Sequence, residues 1–477
     1  MRAVHWFRND LRLEDNIALA AACARAEELV PLYVLDPRLV SASPKRTSFL
    51  RGCLAELGER LAAAGCPLLV LAGDPVTAVS RVLEESRADL LTFNRDYTPY
   101  ARRRDAEVVS MAQRLGVRVA DSKDRFVFES HEVRTQSGGL FQVYSPYKRA
   151  WRAELERRPL EKPVPLRLPR GLSLPVLQHE AAFANSPRGE LSAGSPPEAG
   201  EPPAQPGEKA AKQRLDRFLA RSLADYGEAR DVPALDGTSR LSPHLRFGTM
   251  SIRTCVRAAL DARVGPRGAA AGASKWLDEL IWREFYGALL AETPRVLREP
   301  FRREYANVDW NDDDAGFAAW CDGRTGYPLV DAGMRQLVQT GWMHNRARMI
   351  VASFLVKDLL LDWRRGEAFF MRHLVDGDPA SNNGGWQWAA STGTDAQPYF
   401  RIFSPMSQGE RFDPDGIYVR RFVPELRDVP DRFVHRPWDA PSPPRDYPPP
   451  IVDHAERRVL AVARFGAAKD AASPAKT

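Results

Sequence analysis

Along the first 130 residues, short runs of β-branched or leucine-rich positions alternate with stretches whose apolar residues recur at helical spacing. The runs at 3–7, 29–34, 67–71, 90–93 and 117–119 predict strands, and the stretches near 16–27, 47–64, 75–87 and 100–115 predict helices. Strands that read as continuous apolar runs are covered on both faces, so this rhythm predicts an α/β domain over 1–131, a doubly wound, Rossmann-like parallel sheet. Phe7 is followed by RNDLRLEDN and not by a GxGxxG turn, so an ordinary dinucleotide fingerprint is missing. From 132 to 205 both periods dissolve. Eleven prolines between Pro159 and Pro206 predict an interdomain linker there. Beyond 206 strand signals nearly vanish, and helical patterns at 208–226, 250–262, 274–292, 329–361 and 365–374 predict an all-α domain over 206–465, followed by a ragged tail at 466–477.

Composition narrows the class. Of 477 residues, 44% are hydrophobic and 27% charged, close to globular averages, which excludes wholesale disorder and fibrous repeats. No apolar run reaches the roughly 18 residues that a spanning helix needs. The first residues carry charge where a signal peptide has its apolar stretch, so a cytoplasmic protein is expected. The five cysteines form no CxxC pair, which argues against a disulfide frame or zinc knuckle and for buried thiols. A net charge of +6 suits a polyanionic partner if the excess gathers on one face. Of eleven tryptophans, nine lie from Trp276 onward, so the second half is built differently from the first.

Four segments carry candidate chemistry. TSRLSPHLRFG, residues 238–248, sets hydroxyls and a guanidinium ahead of a short helix; it reads as a phosphate or pyrophosphate cradle or as a plain helix cap. In KWLDELIWREFYGALL, residues 275–290, Trp276, Glu279, Trp282, Arg283 and Tyr286 fall on one helical arc, opposite an aliphatic side that Glu284 interrupts. That arc suits a cavity for a planar ring, the alternative being an aromatic packing face with a Glu279 to Arg283 ion pair. Trp342, Asn345, Arg348 and Met349 share a face of the next segment, where His344 has no second histidine at metal spacing and receives no catalytic role. DGDPASNNGGWQW, residues 376–388, lacks the glycine and glutamate of a calcium loop and reads as a polar loop against a ligand ring or as a surface turn.

In order along the chain, WFRNDLRLEDNIALAAA, TSRLSP, WLDELIWREFY, TGYPLVDAGMRQL, GWMHNRARMIVASFLVKDLL, DWRRGEAFF, DGDPASNNGGWQWAASTGTDAQPYFRIFSP and DYPPPIVDH resemble the DNA photolyase and cryptochrome family. The likeness covers most of the chain outside the linker. Within the family it is nearest to the bacterial cyclobutane pyrimidine dimer photolyases of class I. The resemblance implies a light-driven lyase carrying FAD, in the reduced form when active, in its helical domain. It also implies an antenna, 8-hydroxy-5-deazaflavin or methenyltetrahydrofolate, in the α/β domain. Tyr226, Thr238, Ser239, Arg240, Leu241, Ser242, Trp276, Asn345, Arg348, Asp376, Gly377, Asp378 and Asn382 would then hold the flavin dinucleotide. Glu279, Trp282, Asn382 and Met349 would be catalytic, and Trp386, Trp363 and Trp310 would pass electrons between flavin and surface. Arg230, Glu279, Trp282, Arg283, Tyr286, Asn345, Arg346 and Trp388 would meet UV-damaged DNA, with no metal, no membrane, no obligate protein partner and a monomeric state. A cryptochrome photoreceptor and a (6-4) photoproduct photolyase are the alternatives; the latter would place a histidine where Met349 stands. The family commonly has an amide where this chain has Asp278.

Overall fold

The computed structural model describes residues 1–40, 43–163, 165–174, 177, 204–264 and 269–472. The N-terminal half is a parallel sheet of β1 (Arg2–Phe7), β2 (Glu28–Leu35), β3 (Leu69–Ala72), β4 (Leu90–Asn94) and β5 (Arg118–Ser122) in the order β3-β2-β1-β4-β5. Val4 of β1 pairs with Val30 on one side and Leu91 on the other, so the apolar run of β1 lies at the centre. The crossover helices are α1 (Ile17–Cys23), α2 (Pro44–Ala63), α3 (Pro75–Ser86) and α4 (Pro99–Arg114). Three of them start on a cap followed by proline: Ser43, Asp74 and Thr98 each accept a first-turn N–H, and the proline supplies a preset φ where no amide partner is needed. All five expected strands and four expected helices are present within a few residues.

The stretch expected as linker differs. Residues 178–203 lie outside the described residues, but α5 (Tyr144–Arg157) is a helix whose Tyr144, Tyr147, Trp151 and Leu155 are buried in the core of the second half. Pro146 stands in its first turn, where it removes no helical hydrogen bond. Farther on, Arg170–Gly171 adds a two-residue parallel strand to β2 at Glu28–Leu29.

The second half is helical: α6 (Glu208–Arg221), α7 (Ser242–Phe247), α8 (Ile252–Val264), α9 (Ala270–Glu292), α10 (Pro328–Thr340), α11 (Asn345–Ser353), α12 (Trp363–His373), α13 (Pro379–Ala389) and α14 (His454–Ala472) are its main elements. The single helix expected over 329–361 is broken. Gly341 takes φ +75° and ends α10, His344 caps α11, and a π turn over Phe354–Asp358 closes the run. The expected tail at 466–477 is instead the end of α14 as far as Ala472: Ala461, Phe465 and Ala468 are buried, and its Ala-rich composition favours helix. Cys53, Cys66 and Cys255 are buried, but Cys23 and Cys321 are half-buried; all five are free thiols. No helix among the described residues is long and apolar enough to cross a membrane.

Charged clamps join the halves. Asp124 receives both Arg12 (2.6 Å) and Arg253 (2.7 Å), and Asp15 receives Arg253 and Arg257. Glu284, the exception on the apolar side of α9, accepts the amides of Val127 (2.7 Å) and Phe128 (2.8 Å) and the indole N–H of Trp151 (2.6 Å). Burial pushes its carboxyl up to about 7 even though those three donors and Arg283 oppose the shift.

Candidate active site

A cavity of about 560 Å³ opens among α9, α11 and α13, within the ~300–1,000 Å³ typical of sites for large organic ligands. The arc of α9 forms one wall, since Trp276, Glu279, Trp282, Arg283 and Tyr286 all line it. Glu279 Oε1 accepts from the Arg230 guanidinium at 2.5 Å. Trp282 stacks on Tyr144 of α5 with ring centroids 3.6 Å apart. From α11 come Asn345, Arg348 and Met349, with the Asn345 amide donating to Met349 Sδ at 3.7 Å. No histidine lines the cavity among the described residues. His344 is buried, and its Nδ1 accepts the Arg346 amide as the cap of α11; burial lowers its pKa to about 4.

The opposite wall is polar. Asp376 Oδ2 accepts from Arg348 at 2.8 Å, while Oδ1 is buried without a protein partner, as is the indole N–H of Trp386. Both residues line the cavity, and each keeps one polar atom buried behind its wall without a protein partner. Asp378 caps α13 by accepting the Ala380 and Ser381 amides and pairs with Arg125 at 2.5 Å. Burial works to raise its pKa, but Arg125, Arg246 and Arg283 outweigh burial and hold the carboxyl below its usual range. The Asn382 amide donates to the Glu367 carbonyl at 3.1 Å, which fixes the orientation of its carboxamide in the wall. At the back, α13 touches α9 through Gly384: a Cβ there would lie 2.2 Å from the Tyr286 ring.

Tyr226, Ser239, Ser242 and Trp388 also line the cavity. Thr238, Arg240, Leu241 and Gly377 do not. The Thr238 and Ser239 carbonyls accept from Arg214 of α6, which shapes this loop, and Leu241 is buried in the core. Arg240 takes φ +48°, pairs with Asp236 at 3.0 Å and covers the Trp342 ring. Gly377 acts through its carbonyl, which accepts from Arg246 at 2.8 Å. Because α7 spans only six residues, hydroxyls and loop amides would carry any phosphate contact, not a helix dipole.

Two arginines expected at a phosphate face are engaged inside the protein. Arg283 donates to the carbonyls of Arg125 (2.7 Å) and Leu245 (3.2 Å) and is lowered to about 10 by burial. Arg346 pairs with Asp231 at 2.7 Å and lies over the Phe412 ring. Trp386 and Trp363 share one buried hydrophobic cluster, and half-buried Trp310 packs on it through Phe465, edge-on at 5.7 Å. Asp278 faces away from the cavity and takes Lys148 (3.1 Å) and Arg152 (2.8 Å) of α5. Arg214, Arg246 and Tyr144 were not singled out from sequence; each acts through the far side of a fold contact that no local spacing encodes.

A second cavity lies beyond the carboxyl ends of β1 and β2, bounded by Trp6, Arg8, Tyr33, Asp36, Arg104 and Arg246. That is the end at which open α/β sheets take ligands. Arg8 and Arg104 both lie over the Trp6 ring, at 4.7 and 4.9 Å. Arg246 lines both cavities and also donates to Asn9 Oδ1 at 2.9 Å.

Comparison with known proteins covers both halves. Residues 3–166 match the family described as DNA photolyase, and residues 276–467 match the FAD binding domain of DNA photolyase. The chain is 42% identical to the deoxyribodipyrimidine photo-lyase of Synechococcus sp. over 95% of this chain and 94% of that protein. Its fold superimposes on a bacterial class III photolyase from Agrobacterium tumefaciens with a TM-score of 0.86 at 36% identity, covering 98% of each chain. A cryptochrome from Synechocystis sp. PCC6803 matches with a TM-score of 0.85 at 27% identity, covering 97% of this chain and 98% of that one.

Proposed function

Because this chain belongs to the DNA photolyase family, we propose that it is a light-driven DNA repair enzyme, a carbon–carbon lyase that splits cyclobutane pyrimidine dimers. One observation carries the reading: a single cavity joins a polar wall, with Ser239, Ser242, Arg348, Asp376 and Asn382, to an aromatic wall where Glu279 stands beside Trp282. The polar wall fits FAD. Ser239 and Ser242 supply donors for its pyrophosphate, and Asp376, held by Arg348, and the fixed carboxamide of Asn382 border its rings. Bound in its reduced form and excited by light, FAD supplies the single electron that opens the two carbon–carbon bonds and recovers it afterwards.

The protein contributes position and charge. Trp282 stacks against the two bases once they leave the duplex, which is cheaper for a distorted dimer than for a normal pair. Glu279, held by Arg230, presents its remaining oxygen to the polar edge of the bases and steadies the charge that develops there. Met349 closes the wall, in the place where a (6-4) enzyme would carry histidine. The antenna, 8-hydroxy-5-deazaflavin or methenyltetrahydrofolate, belongs at the second cavity, where Arg104 and Arg246 would meet it; at about 70 Å³ that cavity has to widen to take either ring system. Trp386, Trp363 and Trp310 form the electron path to the surface. The protein acts as a cytoplasmic monomer on UV-damaged DNA without an obligate protein partner.

The test is light-dependent recovery of thymines from an oligonucleotide holding a single dimer, with a dark control. No recovery by flavin-loaded, prereduced protein would overturn this reading in favour of the cryptochrome one.

A further inference from the structure

The phenol of Tyr144 lies against the indole of Trp282 with planes 9° from parallel and centroids 3.6 Å apart. Trp282 is a wall of the large cavity, whereas Tyr144 is buried behind it and lines no part of it. One face of the indole is therefore covered by a ring that is itself held on several sides. The Tyr144 hydroxyl donates to the Asp278 carbonyl at 2.6 Å, and its backbone amide donates to Asp395 Oδ2 at 3.1 Å. Phe285 stands edge-on to it at 5.9 Å, and the Lys148 ammonium, paired with Asp278, lies 5.7 Å from the ring centre. Trp151, two turns along α5, is fastened to α9 through Glu284.

An indole at the wall of an open cavity has freedom about both side-chain torsions, and a ligand that stacks on it must halt that motion. A fixed phenol beneath it removes the motion before the ligand arrives. We propose that Tyr144 is a positioning residue for the dimer: stacked behind Trp282, it fixes the plane on which the flipped bases land and thereby sets the preference for dimer-containing over undamaged DNA. The proposal rests on the repair reading above. It assigns a role in recognition to α5, a helix outside the segments that carry the chemistry.

The experiment measures Kd of the flavin-loaded protein for a duplex with one thymine dimer and for the same duplex undamaged, in wild type, Tyr144→Phe, Tyr144→Leu, Trp282→Leu and the double leucine variant. Tyr144→Leu is expected to weaken dimer binding about fivefold, as for loss of an aromatic stack, with undamaged binding and FAD content unchanged. Tyr144→Phe, which keeps the ring, stays within about twofold of wild type. The double variant binds no worse than Trp282→Leu, because the effect of Tyr144 passes through the indole. Wild-type affinity for the dimer in Tyr144→Leu, an equal loss on both duplexes, or additive losses in the double variant would each overturn the proposal while leaving the repair reading intact. A wild type with no preference for the dimer removes the repair reading and this one with it. If the leucine variant loses its flavin, Tyr144→Met, whose unbranched chain adapts to the slot without a flat face, is judged by the same outcomes.

Discussion

The Arg230 guanidinium holds Glu279 by one oxygen, Oε1, at 2.5 Å, which leaves Oε2 as the oxygen available to a ligand in the cavity. The carboxylate is thus oriented before any substrate enters, and an arginine at the end of a short helical turn decides how it points.

Replacing Glu279 by alanine should lower repair per absorbed photon several-fold while flavin content stays at the wild-type level, because the carboxylate meets charge that develops on the bases. Quantum yield and bound-flavin absorbance, read on the same sample, check both halves. Unchanged repair would assign Glu279 to structure alone.

Binding to dimer-containing duplex should weaken steeply with salt, log Kd rising with log salt at about 0.9 per phosphate contact. With Arg283 and Arg346 engaged internally, neither contributes to that slope. Arg283→Gln and Arg346→Gln, which remove the charge, should leave it unaltered, which a titration across salt concentrations tests directly; a slope lower by about 0.9 would put that arginine on a phosphate.

Trp310→Phe should block light-driven reduction of oxidised flavin yet spare repair by protein reduced chemically beforehand. Phenylalanine keeps the packing on Phe465 but is far harder to oxidise. Photoreduction followed by absorbance separates the outcomes: normal photoreduction removes Trp310 from the path, and failed repair by prereduced protein makes it structural.

Folded protein holds the proton of Glu284 up to about pH 7, whereas an unfolded chain releases it near the ordinary carboxylate value. Between those values the folded state binds more protons, so stability falls as pH rises through the window. Glu284→Gln should be less stable overall, since its amide N–H faces three donors, but its thermal midpoint should decline less between pH 5 and 7. The slope attributable to one group is at most roughly 1.4 kcal/mol per pH unit. Parallel declines in variant and wild type would show that Glu284 does not take up the proton.

Asp278→Asn removes the partner of Lys148 and Arg152 and should cost about 0.5–1 kcal/mol at low salt, the range of partly exposed pairs. The difference in thermal midpoint should shrink as salt screens the pairs.

Much of this was legible along the chain. The sheet announces itself because β1 and β4 are mostly apolar, and the caps Ser43, Asp74 and Thr98 precede prolines that can only begin a helix. The α9 arc was legible because 100° spacing puts Glu279 and Trp282 on one side whatever surrounds them. What failed was whatever depends on a partner distant in sequence. The helix α5 fell in the stretch expected as linker because its anchors on α9, at Asp278 and Glu284, lie 134 and 133 residues away, and the run expected as one helix over 329–361 hid the positive φ of Gly341. Arg283 has the spacing of a substrate contact, but its guanidinium is claimed by carbonyls 158 and 38 residues away.

The contact of Gly384 with the Tyr286 ring also divides the molecule by what natural variation can alter. Where backbone meets an aromatic face with no side chain between, Gly384 has nothing left to shorten, and any lengthening there drives α13 away from α9. A descendant of this protein that accepts a bulkier lesion would therefore be expected to change elsewhere in the lining, at Tyr286, Asn345 or Trp388, while inheriting Gly384 unaltered.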